Sequence, residues 1–470
     1  MKRIFTLLFI CCHFIGATQV ATTGEALLNT QLGSFQSRFK ILMNTRGFTW
    51  YRGRDKIELK QLQAALQEYS YGNNESPEAY LLFYHHQQDT LYSWLLNKSG
   101  IVSADYSIVS PGELVDLEAK LKSSIQYESS TPLLAENQQR GAAGRNTDTT
   151  FKPFAFYSRQ ISSLIFPPKI SGQLINVKSL IIVPELNISS LPLYALQPFT
   201  DDSYLVDRMS ISLAHSLDEF LNRAAYYCRL MLSHNEPDPY TFTEAVESKK
   251  PIAFVPENPL VVGNPDYSKC SNLYRQLPGA EIEAKLVSDK LSTTPLLGKA
   301  ATKEEVLKRM KSSEFIYLAT HGHADVDSPL TKSHLVFAGD EKSCGFWKAN
   351  EIQFDTVPYN TLVILSACET GLGKVLDAGI IGLSRAFIKA NAGNVVMSLW
   401  SVDDEATKEL MDIFTDELFI PQYSFPAENL RQAILKFKQK DAKLSHWSAF
   451  VNMGTPYPPG LLMKLEVSKR

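Results

Sequence analysis

The sequence predicts an α/β fold built on a mainly parallel sheet with helices on both faces. The second half of the chain contains short, continuously apolar runs bounded by turn residues, at 259–265, 315–320, 361–367 and 394–400. Strands that are buried on both faces of a parallel sheet have this composition. Amphipathic segments such as 279–291 alternate with these runs. This alternation is typical of strand–helix–strand units, whose crossover helices cover the sheet.

The composition is that of an ordinary globular chain. Its 470 residues are 44% hydrophobic and 21% charged. Because a single core rarely grows beyond about 250–300 residues, we expect two or three domains. The formal net charge is −3, and no cluster of Lys and Arg forms the basic face that nucleic-acid binding requires. We therefore expect no nucleic-acid partner.

The N-terminus has the layout of a secretory signal peptide. Lys2 and Arg3 precede the apolar run 4–17, which ends in small residues, so residues 1–21 are predicted to be a cleaved leader. His13 keeps a second interpretation open, in which this segment is a buried N-terminal helix. No other stretch reaches the roughly 20 apolar residues of a membrane span. The mature chain is therefore predicted to lack a membrane span and to be secreted or periplasmic; without export it would be cytoplasmic.

The cysteines leave the compartment open. Cleavage of the leader would leave four of the six, namely Cys228, Cys270, Cys344 and Cys368. Their spacing shows neither a metal-binding CxxC pattern nor a dense disulfide framework. A bridge between Cys270 and Cys344 is compatible with an oxidising compartment, but the spacing does not require it.

The first block of predicted elements covers 22–250. Apolar side chains at helical spacing from Leu28 to Leu42, together with 56–69, predict helices over 22–70. A second region, 71–250, follows. Its predicted elements are a hairpin of strands at 79–86 and 91–96, a helix at 113–125, a polar surface loop at 128–150, a helix around 154–165 and a buried strand at 179–185.

The second block, 255–460, contains the parallel strands. Thr302 and Glu305 have capping-box spacing at the start of one of its helices. His321 directly follows the strand at 315–320, and Cys368 directly follows the strand at 361–367. Because catalytic groups of such sheets collect at the carboxyl ends of the strands, these two side chains are expected at one edge.

A cysteine nucleophile requires a basic partner and donors for the oxyanion that forms on attack. His321 lies 47 residues before Cys368, close to the spacing of about 50 in caspases. Gly322 has no Cβ to obstruct its backbone N–H, which could form a two-donor oxyanion hole with the N–H of Cys368. Taken singly, a Cys after an apolar strand is more often a small buried residue. The joint pattern favours a catalytic pair.

These stretches resemble the CHAT domain, a bacterial relative of caspases and separases among the clan CD cysteine peptidases. The matching motifs are YLATHGHAD, LVILSACETGLG, AGIIGLSRAFIKANAGNVVMSLWSVDDEAT and HWSAFVNMG, with weaker blocks upstream to about residue 60. The resemblance implies a caspase-like three-layer α/β/α fold, with an inactive half at 71–250 and an active half at 255–460. It also implies His321 as the catalytic histidine and Cys368 as the nucleophile.

Acidic residues at the same edge suggest a substrate preference. Asp403 and Asp404 follow the strand at 394–400, and a basic side chain before the scissile bond would require a carboxylate in its pocket. Separases carry a similar segment in which Asp404 matches the acid that meets arginine. Alternatively, the two acids cap a helix. Glu369, beside the nucleophile, could contact substrate or orient the loop.

The predicted function is a cysteine endopeptidase with a Cys–His dyad, and Asp404 suggests cleavage after a basic residue. The alternative is a catalytically inactive CHAT scaffold or interaction module. A class I glutaminase is disfavoured because those enzymes place Cys before His. The expected partners are a protein or peptide substrate and a regulatory protein. No nucleotide or zinc motif is present, so no cofactor and no metal is predicted.

Overall fold

The protein is described from a computed structural model. The described residues are 24–38, 56–69, 78–130, 152–233, 255–270, 274–325, 328–339, 343–366, 382–420 and 425–454. The predicted leader at 1–21, most of the predicted loop at 128–150, and both Cys368 and Glu369 lie outside them.

The first half begins with helices that pack on a strand hairpin. Its helices are α1 (24–38), α2 (Leu59–Tyr69), α3 (Pro111–Ser130), α4 (Phe154–Ile165), α5 (Pro168–Leu174), α6 (Leu205–Arg208) and α7 (Leu217–Ser233). Its strands are β1 (Ala79–Gln87), β2 (Thr90–Asn97), β3 (Gly100–Ile108), β4 (Ser179–Val183) and β5 (Ser210–Leu213). Gln88 and Asp89 have φ angles of 49° and 54°, so the predicted hairpin closes through a two-residue turn in the left-handed region.

The second half carries the predicted alternation of strands and helices. Its helices are α8 (Pro278–Lys290), α9 (Lys303–Met310), α10 (Ala349–Ile352), α11 (Leu383–Lys389), α12 (Asp404–Leu418), α13 (Pro426–Lys438) and α14 (Leu444–Trp447). Its strands are β6 (Leu260–Pro265), β7 (Leu296–Gly298), β8 (Phe315–Ala319), β9 (Gly322–His323), β10 (His334–Phe337), β11 (Gly345–Lys348), β12 (Thr361–Leu365), β13 (Ala392–Ser398) and β14 (Phe450–Gly454). The hydroxyl of Thr302 accepts the N–H of Glu305, which is one half of the predicted capping box; the Glu305 carboxylate accepts from Arg309 at 2.7 Å.

Among the described residues, eleven strands of both halves form one sheet. Their order is β3-β2-β1-β4-β5-β14-β13-β12-β8-β6-β7, and β9, β10 and β11 form a separate small sheet. The two halves meet where β14 lies parallel to β5 and antiparallel to β13. Since β1 and β4 run parallel to β5, and β12 and β8 run parallel to β13, the strand direction reverses at this join.

The burial of the central strands confirms the predicted α/β class. Every residue of β4 except its first is buried, and β6, β8, β12 and β13 are buried throughout. Strands with no exposed face must be covered by helices on both sides. The sheet is mainly parallel, with antiparallel pairs at β1–β2, β2–β3 and β13–β14.

Three features differ from the sequence prediction or extend it. The predicted start of the loop at 128–150 differs from the structure, in which α3 continues to Ser130. The physical reason lies in Glu128, whose carboxylate accepts the N–H of Phe154 at 2.7 Å and so joins the end of α3 to the start of α4. Strand β3 and the small sheet of β9, β10 and β11 were not predicted.

Helix α1 is anchored at the carboxyl ends of β1 and β4. The guanidinium of Arg38 donates to the carbonyl of His86 at 2.6 Å and to the buried carboxylate of Glu185. The other carboxylate oxygen of Glu185 accepts the N–H of His86. His85 beside them is fully buried, and burial together with the charge of Arg38 lowers its pKa to about 4.

A buried polar cluster joins α7 of the first half to α11 of the second. His215 Nε2 lies 3.2 Å from the hydroxyl of Ser384, and its Nδ1 lies 3.3 Å from the carboxylate of Glu219. Burial opposes ionisation of Glu219, but the basic side chains of His215, Arg223 and Arg385 outweigh it and keep the pKa of Glu219 below its usual value.

No helix within the described ranges is long and apolar enough to cross a membrane.

Candidate functional site

His321 is held just beyond the carboxyl end of β8. The preceding Thr320 is buried, and its hydroxyl donates to the carbonyl of Val336. The N–H of Val336 in turn donates to the carbonyl of His321 at 3.0 Å. Because the Thr320 hydroxyl and the His321 carbonyl are both bonded to Val336 of β10, the backbone of His321 is fixed where the chain leaves the large sheet.

The imidazole of His321 has a defined tautomer. Its Nε2 lies 2.7 Å from the carbonyl oxygen of Arg275. A carbonyl can only accept, so Nε2 carries the proton and Nδ1 of the neutral ring keeps its lone pair. The ring packs against Tyr267 and Tyr274, with centroid distances of 4.8 Å and 5.4 Å. In this tautomer Nδ1 is the basic atom of the ring.

The groups around this ring come from the connection between β6 and α8, residues 266–277. Burial raises the pKa of Tyr267 to about 12, and its hydroxyl lies 2.9 Å from that of Thr320. Cys270 forms a disulfide with Cys344, at the start of β11. The bridge that the cysteine spacing allowed thus joins this connection to the small sheet.

A second aromatic layer lies outside the first. His334 Nε2 is 3.0 Å from the hydroxyl of Tyr274, and its Nδ1 is 2.6 Å from the carbonyl of Lys332. Burial lowers the pKa of His334, so this imidazole is neutral at pH 7. Phe346 packs edge-on against it at 4.6 Å. His323 is exposed, with its ring 5.3 Å from that of His334.

The nucleophile predicted from sequence, Cys368, and the neighbouring Glu369 lie outside the described residues. The strands that lead to the pair are described. Leu365 of β12 is paired in parallel with Leu318 of β8, and each candidate catalytic residue follows this pair by three positions. Gly322, the predicted oxyanion donor, opens β9 and pairs with Leu335.

Asp403 and Asp404 both begin helix α12, but their surroundings differ. Asp403 is its N-cap, and one carboxylate oxygen accepts the N–H groups of Glu405 and Ala406 at 3.1 Å each. The predicted capping role is thus confirmed for Asp403. Asp404 is exposed and faces the start of α8, where a Cβ at Gly279 would lie 3.3 Å from its own Cβ.

Sequence reasoning missed a buried acid beneath this edge. Glu283, on the turn of α8 after Gly279, is 5% exposed and accepts the hydroxyl of Tyr317 in β8. Burial raises its pKa to about 7, and the charge of Asp404 adds to the rise; the hydrogen bond from Tyr317 offsets part of it. Its local sequence pattern does not distinguish it from the half-exposed Glu281, two positions earlier.

Within the part of the chain that the structure describes, no three His, Cys, Asp or Glu side chains are grouped closely enough to hold a metal ion.

Comparison with known families identifies the fold. A model of the CHAT domain matches residues 156–455, which is well over half of the chain. The chain belongs to the CHAT domain family. The match begins within the first half and extends past β14, so this CHAT domain includes strands from both sides of the β5–β14 join.

The curated relatives of this CHAT protein include two much longer proteins. It is 23% identical over 320 residues to tetratricopeptide repeat protein 28 of Homo sapiens and 23% identical over 321 residues to that of Mus musculus. Each match covers 61% of this chain and 12% of the relative. The chain therefore spans about an eighth of the length of these relatives.

Two solved structures show lower similarity. A chain from the Saccharomyces cerevisiae separase–securin complex aligns with a TM-score of 0.47 and 9% identity, covering 86% of this chain and 32% of that chain. A structure of the Porphyromonas gingivalis RgpB pro- and mature domains aligns with a TM-score of 0.34 and 11% identity, covering 73% and 76%.

Proposed function

We propose that this CHAT protein is a cysteine endopeptidase in which His321 and Cys368 form the catalytic dyad. The observation that carries the proposal is the hydrogen bond from His321 Nε2 to the carbonyl of Arg275 at 2.7 Å. This bond assigns the ring proton to one nitrogen and leaves the other as the basic atom. A general base requires a ring nitrogen with an available lone pair, which this tautomer supplies at Nδ1.

The reaction follows from these roles. The Cys368 thiol transfers its proton to His321 Nδ1, and its sulfur attacks the peptide carbonyl carbon. The N–H groups of Gly322 and Cys368 donate to the oxyanion. The carbon–nitrogen bond breaks as the imidazolium gives its proton to the leaving amine, and a thioester remains. Water, deprotonated by Nδ1, hydrolyses the thioester and releases the acid and the free thiol.

The substrate preference rests on Asp404. Its carboxylate is exposed at the first turn of α12, while that of Asp403 is bonded to backbone N–H groups. Asp404 is therefore the acid available to a cationic side chain before the scissile bond. Glu369 remains a predicted substrate contact, and a regulatory protein partner remains a prediction.

Peptide-library profiling of the wild type against Cys368→Ala tests the proposal. Cleavage after Arg or Lys is expected in the wild type and should be lost in the variant with the melting temperature unchanged. An acyloxymethyl ketone probe should label Cys368. Hydrolysis that survives the substitution, or a thiol that never reacts, would leave the scaffold interpretation standing.

Asp404→Asn separates the substrate preference from catalysis. Loss of a partner for a desolvated guanidinium should raise KM for basic peptides by roughly tenfold or more, with neutral peptides unaffected. Glu405→Gln is the matched control, since Glu405 lies in the same helical turn and pairs with Lys408. An equal KM change in both variants would show that the substrate preference depends on the overall negative charge at the start of α12 and not on Asp404 in particular.

A further inference from the structure

The position of the Arg275 carbonyl depends on contacts made by residues other than His321 and Cys368. The β6–α8 connection that carries it has no regular secondary structure at 274–277. Its base is closed by Asn264, whose side-chain oxygen accepts the N–H of Leu277 at 2.7 Å. At the other end, the N–H of Asp266 donates to the carbonyl of Gly298 and the Tyr267 hydroxyl contacts that of Thr320. None of these bonds involves Tyr274 or Arg275, so the position of Arg275 depends on further contacts.

Two further contacts hold the outer part. The Cys270–Cys344 disulfide joins it covalently to the residue directly before β11. Tyr274, directly before Arg275, lies with its hydroxyl 3.0 Å from His334 Nε2 and its ring 5.4 Å from that of His321. Both contacts end on the small sheet, which also holds the backbone of His321 through Val336. The Arg275 carbonyl and the His321 imidazole are thus both held in place by contacts with the small sheet.

We propose that the Cys270–Cys344 disulfide and Tyr274 are positioning residues for His321. They hold the Arg275 carbonyl against Nε2 and so keep the ring in the tautomer in which Nδ1 is basic. This inference rests on the proposed peptidase function for its catalytic consequence, but the tautomer itself can be measured without any substrate.

The test compares the full-length wild type with the double variant Cys270→Ser, Cys344→Ser. In protein labelled with ¹⁵N-histidine, two-bond ¹H–¹⁵N correlations report which nitrogen of His321 carries the proton. The wild type is expected to show the Nε2–H form alone. The double variant is expected to show both tautomers in exchange. Cys228→Ser, on α7 in the other half, is the control and should match the wild type.

Two kinetic measurements follow the same comparison. Alkylation of Cys368 by iodoacetamide below pH 7 depends on a thiolate–imidazolium pair, so its rate should fall roughly tenfold or more in the double variant, since small displacements of reacting groups have large effects on rate. For peptide hydrolysis, kcat should fall more than KM. A bridge that only stabilised the fold would lower the melting temperature and leave the tautomer and the pH profile of alkylation unchanged.

A variant of Tyr274 tests the proposal even if the double cysteine variant does not fold. Tyr274→Ala keeps the bridge and removes both the ring contact and the hydroxyl, and the same mixture of tautomers is expected; Tyr274→Phe should restore most of the Nε2–H form. A single wild-type tautomer in both the disulfide and the Tyr274→Ala variants overturns the proposal. Absence of hydrolysis in the wild type would instead overturn the peptidase function, and the tautomer measurement would still decide the positioning role.

Discussion

Glu283 is a buried acid whose ionisation is linked to folding. Its pKa of about 7 in the folded chain compares with 4.5 for an ordinary glutamate. Between these pH values the folded state holds a proton that the unfolded chain has lost. The carboxyl therefore stabilises the fold at low pH, and this contribution falls by about 3 kcal/mol as the pH rises from 4.5 to 7.

Glu283→Gln should remove this dependence, since an amide does not ionise and its oxygen can still accept the Tyr317 hydroxyl. The free energy of unfolding of the variant minus that of the wild type is expected to rise by about 3 kcal/mol between pH 4.5 and 7, measured by urea denaturation. The pKa of His85 is lowered to about 4, so its contribution to stability increases with pH over part of the same range. The pH dependence of wild-type unfolding therefore combines both groups, and the difference between variant and wild type is needed to isolate Glu283.

Glu281→Gln is the control for that measurement. Glu281 is half-exposed on the same helix, and its hydrogen bond with Lys285 lowers its pKa. Stability from a lowered carboxyl pKa is present at high pH and lost at low pH, so the difference curve for Glu281→Gln should slope the other way. A flat difference curve for Glu283→Gln would mean that the carboxyl is already ionised at pH 5.

Residue-level prediction from sequence succeeded where a local pattern carries the information. His321 follows a continuously apolar run, and the structure places it at the end of the corresponding strand. The capping role of Asp403 likewise follows from its position at the start of a helix. Tyr274 and Glu283 were missed because their roles depend on residues 47 and 34 positions away, His321 and Tyr317.

At the level of elements, the packing of α8 on β6 depends on Gly263. A Cβ at this position would lie 2.6 Å from the carbonyl of Ala280 and would also collide with the Cβ of Ala284. The absent side chain allows the helix to approach the strand closely, and this approach sets the depth at which Glu283 meets β8.

Gly263→Ala should therefore destabilise the protein by about 1–3 kcal/mol, because the backbone of α8 must shift to accept the methyl group. Thermal or urea unfolding measures the effect. Gly172→Ala is the matched control: Gly172 is an exposed helical position where a Cβ meets nothing within 4 Å, and the exchange should stabilise by up to about 1 kcal/mol. Equal stability of the two variants would contradict the close-packing argument.

The elements that were not predicted from the sequence lack a clear local pattern of apolar and polar residues. Only the first residue of strand β3 is buried, and β9 has two residues, so neither shows a clear alternation of apolar and polar side chains. The β5–β14 pair joins residues 240 positions apart, Leu213 and Met453. Local periodicity predicts an element, but it cannot identify a distant partner strand.

At the level of the whole molecule, the two halves should unfold together. The sheet continues through β5 and β14, and the buried cluster of His215, Glu219 and Arg385 crosses the same boundary. Removal of one half would expose a sheet edge and leave buried charges without partners, and both carry a large free-energy cost.

Hydrogen exchange in low concentrations of denaturant tests this cooperativity. Amides of β4 and of β12, one strand from each half, are expected to exchange with the same free energy of opening. Glu219→Ala should lower both values by on the order of 3 kcal/mol, because it leaves basic groups buried without their acid. Glu304→Gln, an exposed acid of α9, should lower neither. Loss of protection in β4 alone would mean that the halves are independent folding units.

The reversal of strand direction between β13 and β14 gives the molecule two opposite poles. His321 lies at one, and the Arg38–Glu185 anchor of helix α1 lies at the other, with a five-residue strand spanning about 17 Å between them. A fluorophore, surface linker or fusion partner attached on α1 would therefore be remote from His321. The protein can be immobilised by one pole while the other stays accessible, a geometry suited to measuring the reactivity of the site on single molecules.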